Sequence, residues 1–152
     1  MNKLDELIKD LENKISKQEL VHHTISKSSV GWHIEHTLLT IKVIIEALKN
    51  SNPNRYKWKF NIARFFIFTI NKIPRGRAQS PASVQPADSF NAETLENHVK
   101  IIIEKLKELK NLKPNNYIEH PFFGKLNLKS TVKFIAIHTK HHIDIINDII
   151  KA

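Results

Sequence analysis

Apolar residues recur every three or four positions along four separate stretches of this 152-residue chain. That period stacks side chains on one face of a helix and does not fit the two-residue repeat of a strand. The first stretch carries Leu4, Leu7, Ile8, Leu11 and Ile15 with charges between them. The second opens at Ser28-Ser29, candidate caps, and runs from about Val30 to Lys49 with Ile34, Leu38, Ile41, Ile45 and Leu48 as its stripe. Ser51-Asn52-Pro53-Asn54 stops it. The third starts near Asn91 and reaches about Leu112, through Leu95, Val99, Ile102, Leu106 and Leu109; the last spans about Lys129 to Ile150. Between the second and third lie residues 55–73, aromatic, basic and apolar, which predict a shorter helix, then an extended loop from Pro74 to Asp88. Loops of that length in compact domains are uncommon and often functional. His120-Pro121-Phe122-Phe123-Gly124 reads as a turn. With only three glycines to serve β-turns and bulges, the pattern predicts an all-α fold. The expected form is one four-helix-bundle domain over residues 1–152, with a long crossover and an extra short helix between the second and third long helices.

Composition removes several classes of function. There is no cysteine, which excludes disulfides, thiolate nucleophiles and Cys-based zinc sites. The formal net charge is +9, but lysine is spread along every segment, so a solvated surface is favoured over a nucleic-acid face. Asp and Glu interrupt the N-terminal segment, which therefore lacks the apolar core of a secretory signal. The most apolar stretch, Phe60 to Ile73, is broken by Arg64 and falls short of the roughly 18–20 residues of a membrane span. The expectation is a soluble cytoplasmic protein.

The chemistry-bearing residues are the histidines. On a helical wheel of the last stretch, Thr131, Ile135, His138, His142, Ile145, Ile146 and Ile149 share one side, and Lys133, Lys140, Asp144, Asp148 and Lys151 the other. His138 and His142 thus stand one turn apart in the middle of the apolar face, where both imidazoles reach one ion. Two buried imidazoles without partners are costly, and a shared metal offsets that cost. His141 lies at the edge of the face, with its ring expected to point elsewhere. The second helix offers His33 and His36. Spacing does not choose between them, and the wheel slightly favours His33. A third imidazole from that helix would leave open coordination positions, as catalytic sites do; closed structural sites use four protein ligands. His98 falls near the apolar side of the third helix, as a core residue in preference to a fourth ligand or general base. His22, His23 and His120 fall in predicted turns, as surface or cap residues. Glu35 falls on the polar face and receives no role.

Ser29-Val30-Gly31-Trp32-His33-Ile34-Glu35-His36-Thr37-Leu38-Leu39 resembles the second-helix motif of the DinB-like metal-binding superfamily, and His138-Thr139-Lys140-His141-His142 its last-helix H-x-x-H-H motif. The resemblance extends over most of the chain, including the 120–126 turn and the 73–78 loop. It implies a metal site made of His36, His138 and His142, and so selects His36 over His33, which becomes a neighbour of the site or a pocket liner. Many members carry glutamine three residues after the last ligand, where this chain has Ile145. The subgroup that the sequence is most similar to has no assigned function. The superfamily also includes bacillithiol S-transferases, a mycothiol-dependent isomerase and proteins classed as metal-dependent hydrolases.

The resemblance therefore implies a divalent ion (zinc, nickel or iron, with copper also compatible with three imidazoles) and a small-molecule substrate. Without cysteine, any thiol must be a low-molecular-weight cosubstrate, and Arg75 and Arg77 in the long loop are the candidates to bind its carboxylates. The competing readings are a non-catalytic metal-binding or structural bundle and a binder of nucleic acid or an anionic membrane surface through the basic-aromatic 55–72 segment. For that segment the favoured reading is a helix whose aromatics cover the core; a homodimer interface is the other use of its apolar run.

Overall fold

The amphipathic stripes fold as their spacing requires. In the computed structural model, which describes residues 3–76, 79–87 and 89–152, α1 (Lys3–Glu12) buries Leu4, Leu7, Ile8 and Leu11. A single 3-10 turn at Ile15–Lys17 follows, carrying Ile15 into the core. Helix α2 (Val30–Asn50) starts where the Ser29 side chain accepts a hydrogen bond from the Trp32 N–H, replacing one of the partners that a helix start lacks. Helix α4 (Ala92–Glu108) starts on a reciprocal box in which Asn91 and Thr94 each satisfy the other's backbone N–H. Helix α5 (Leu128–Lys151) is capped by Asn127. Helix α2 packs on α4 and α5, and α1 packs on α5 and α4, around Ile8, Leu11, Ile34, Leu38, Leu95 and Ile135. Ile145 is buried in this same core.

Two segments depart from the sequence reading. The expected turn at 120–124 is the tip of a hairpin, so the chain is mostly helical and not all-α. Strand β1 (Tyr117–His120) pairs antiparallel with β2 (Gly124–Asn127), with Ile118 opposite Leu126, both buried. Gly124 occupies the left-handed region at φ +67°, where a side chain is strained. The second departure is α3 (Ile62–Ile70). It exists, as the composition of 55–73 predicts, but of its aromatics Phe68 alone packs against the core: none of its residues is fully buried, and Ala63, Ile67 and Phe68 are its apolar residues that pack inward.

The long crossover turns back across α2 at a 3-10 turn, Ala82–Val84, and buries Val84. Gly31 admits a close approach at the start of α2, since a Cβ there would collide with the Phe90 ring and crowd Gln18. These contacts fix the first turns of α2 against both its neighbouring connections. His33 and His36 stand on those turns.

Candidate metal centre

Helices α2 and α5 bring three imidazoles together. One ring nitrogen from each of His36, His138 and His142 lies within 4.8 Å of the others. The ring centroids are 5.4 Å apart for His36–His138, 4.7 Å for His36–His142 and 4.6 Å for His138–His142. Three nitrogens on a tetrahedral ion stand about 3.4 Å apart, so small ring movements close the set.

The surrounding hydrogen bonds decide which nitrogens are free. His36 Nδ1 donates to the Val84 carbonyl at 2.8 Å, which leaves its Nε2 as a lone pair. The Trp32 ring stacks on His36 at 5.0 Å and 11°, fixing the imidazole plane. His142 Nδ1 lies 3.0 Å from His33 Nδ1, and His33 Nε2 lies 2.9 Å from Ser26 Oγ. One proton arrangement keeps a lone pair on His142 Nε2: His142 Nδ1–H donates to His33, and His33 Nε2–H donates to the serine oxygen. His138 Nδ1 is sealed from solvent with no hydrogen-bond partner among the described residues. Native interiors rarely tolerate such an orphan, and a cation bound at that nitrogen would satisfy it. The donor set therefore fits a divalent metal, with outer partners of the kind that orient ligating imidazoles.

Electrostatics point the same way. Burial holds His138 down to about 3 and His33 to about 4, with further lowering from neighbouring imidazoles. Burial also lowers His142 well below the ordinary range, and lowers His36 against a partial rise from the Val84 carbonyl. All four are neutral at neutral pH, the form that donates a lone pair to a metal.

The three histidines line a cavity of about 410 Å³ between α2, α5, the long loop and the hairpin. Its wall is mainly apolar, with Ile44, Ile73, Pro81, Phe123 and Phe134, and Glu119 is its one formally charged side chain among the described residues. His120 also lines it, stacked on Phe123 at 4.3 Å and 14°. Its Nδ1 accepts from the Phe122 and Phe123 N–H groups, so it takes the cap role of the two expected for it and is half-buried; burial lowers it to about 4. His141, expected to point away, also lines the cavity.

The sequence-derived candidates thus separate. His36 joins His138 and His142, and His33, which the wheel slightly favoured, instead faces His142 from behind. His98 binds the Glu35 carboxylate at 3.0 and 3.1 Å, bridging α4 to α2 away from the cavity, so Glu35 also has a partner. Arg75 is exposed and paired with Asp148 at 2.8 Å; its neighbours Pro74 and Gly76 line the cavity and Arg75 does not. Arg77 lies outside the described residues. Sequence reasoning missed Val84 and Ser26, and the stacking of Trp32 on His36. Val84 acts through its backbone carbonyl, which no side-chain pattern reveals, while Trp32 within the motif was the one available signal.

A family model for the DinB superfamily matches residues 2–146. The chain belongs to the DinB superfamily. No curated protein and no solved structure matches it. This DinB-superfamily chain brings its three motif histidines together at one point, and Ile145 is buried in the core.

Proposed function

We propose that this chain is a metal-dependent enzyme of the thiol S-transferase or hydrolase type, built as one four-helix-bundle domain over residues 1–152. His36, His138 and His142 hold the divalent ion. The observation that carries this reading is the convergence of three neutral imidazoles on a largely apolar cavity wide enough for a small substrate. A divalent ion on neutral ligands keeps its full charge and lowers the pKa of a water or thiol that binds it. The chain's own residues do the rest. Val84 and Trp32 orient His36, His33 orients His142, and the Phe123–Phe134 wall excludes water from the electrophile. In this proposal the thiol is a cosubstrate, and Arg75 and Arg77 bind its carboxylates, Arg75 by exchanging its Asp148 partner.

One observation favours the non-catalytic alternative: Ile145 places an apolar residue where many members carry glutamine. Protein purified without a nickel column separates the two readings. The enzyme reading predicts chelator-sensitive transfer of a thiol to an electrophile, or chelator-sensitive ester hydrolysis, that is lost in His142→Ala. A His142→Ala variant with full activity contradicts the site. A parent that carries the ion and loses more than a few degrees of melting temperature when stripped, with no turnover in either assay, favours the structural role.

A further inference from the structure

Helix α3 turns its apolar side outward. On its wheel Phe65, Thr69, Ile62, Phe66 and Ile70 occupy one continuous arc of about 140°, and the four apolar members are all exposed. The inward side holds Ala63, Ile67 and Phe68 against the core. Thr69, the single polar residue of the outer arc, spends its hydroxyl on the Phe65 carbonyl at 2.6 Å. Trp58 and Phe60 extend the patch. The Phe60 and Phe65 ring centroids lie 6.1 Å apart and those of Phe65 and Phe66 5.6 Å. Exposure across Trp58, Phe60, Ile62, Phe65, Phe66 and Ile70 runs from 53% to 66%, too much contiguous apolar surface for a helix that serves only the core.

Charge says what covers it. Between Glu46 and Asp88 the sequence has no acidic residue and eight basic ones, whereas outside that stretch sixteen Lys and Arg face fifteen Asp and Glu. Nearly the whole net charge therefore belongs to the segment that carries the apolar arc. Arg64 is turned inward, donating to the Lys125 carbonyl at 3.0 Å and to the Lys59 carbonyl; with the Asn61–Phe122 bond of 3.0 Å it locks α3 onto the hairpin. Arg55, Lys57, Lys59 and Lys72 make no ion pair among the described residues and flank the arc at its two ends. Beside Lys57 and Lys59 lies an open cleft, shared with Lys125 and Glu119.

We infer that this face is a docking surface for an anionic phospholipid bilayer, with α3 lying flat at the headgroup–acyl boundary. An apolar arc flanked by cations is the pattern of an interfacial helix. Exposed Ile62 and Ile70 suit acyl chains and offer nothing to a stacked base. A two-fold contact with a second copy would set the cationic stretch against itself.

Flotation with vesicles of phosphatidylglycerol and phosphatidylcholine tests this. Binding is expected to the mixed vesicles and not to phosphatidylcholine alone, and to weaken as salt rises. Phe65→Ser/Phe66→Ser, at exposed positions that leave the fold intact by circular dichroism, abolishes it. Lys57→Gln and Lys59→Gln each lower the partition coefficient roughly fivefold. Absence of flotation with the parent, or undiminished flotation of the Phe65→Ser/Phe66→Ser variant, overturns the inference. So does a single-stranded oligonucleotide that binds the parent and the double variant alike while vesicles do not, or a dimer that the double variant dissociates in the absence of vesicle binding.

Discussion

Replacing His33 by leucine tests whether the imidazole behind His142 sets up the metal site. His33 is buried, and its Nδ1 lies 3.0 Å from His142 Nδ1. If His142 donates across that contact, its Nε2 lone pair faces the cluster; without His33 the Nδ1–H loses its acceptor and the ring loses its preferred tautomer. Losing an outer partner of this kind costs roughly 10- to 100-fold in metal affinity, about 1.4–2.7 kcal/mol. The metal-free protein also loses a buried hydrogen bond, and should be destabilised by roughly 1–3 kcal/mol. Competition with a chromophoric zinc chelator measures the first quantity and urea unfolding of the stripped protein the second. His33→Gln, which can still offer an acceptor, should fall between leucine and the parent. A folded His33→Leu protein that binds zinc as tightly as the parent, or more tightly, refutes the reasoning. It would mean that His33 donates instead of accepting, or that the contact does not govern the ligand.

Gly31→Ala places a methyl group against Phe90 and Gln18; unfolding should show a loss of about 1–3 kcal/mol, and a neutral result would mean the Phe90 ring swings clear. For His120 the sign follows from its pKa of about 4 in the fold against 6.5 unfolded. The unfolded chain takes the proton first, so its contribution is intact above about pH 6.5 and is lost as pH falls towards about 4. The size is on the order of 1–2 kcal/mol once its partial exposure is allowed for. His120→Gln should flatten the drop in stability between pH 7 and pH 5, and an unchanged drop would contradict the assignment. His98→Ala breaks the bridge to Glu35 and should cost stability, measured by thermal melting, while metal stoichiometry stays the same.

The long helices and the His138–His142 pair were legible because both rest on one period. The stripes and the placement of two imidazoles on the inner face follow from 100° per residue, and Ser29 stood out as a candidate cap because its hydroxyl can accept from a free helix N–H. The wheel alone did not give the partner on α2, because it gives direction about one axis and says nothing about the height at which another helix crosses; the motif resemblance selected His36. His33 and His36 both point inward, and only the packing of α2 on α5 sets His36 level with the pair. The hairpin was hidden by its length, since four-residue strands barely repeat. Helix α3 misled for another reason: continuous apolarity reads as burial, and the sequence does not say that Ile62, Phe65, Phe66 and Ile70 stay exposed.

The most direct test of the central claim is an element-specific anomalous difference map from crystals grown with a divalent ion such as zinc. The account predicts one strong peak about 2.0–2.2 Å from a nitrogen of each of His36, His138 and His142, with His33 not coordinating. A saturated crystal with no peak there, or an ion held by His33 in place of His36, would contradict it.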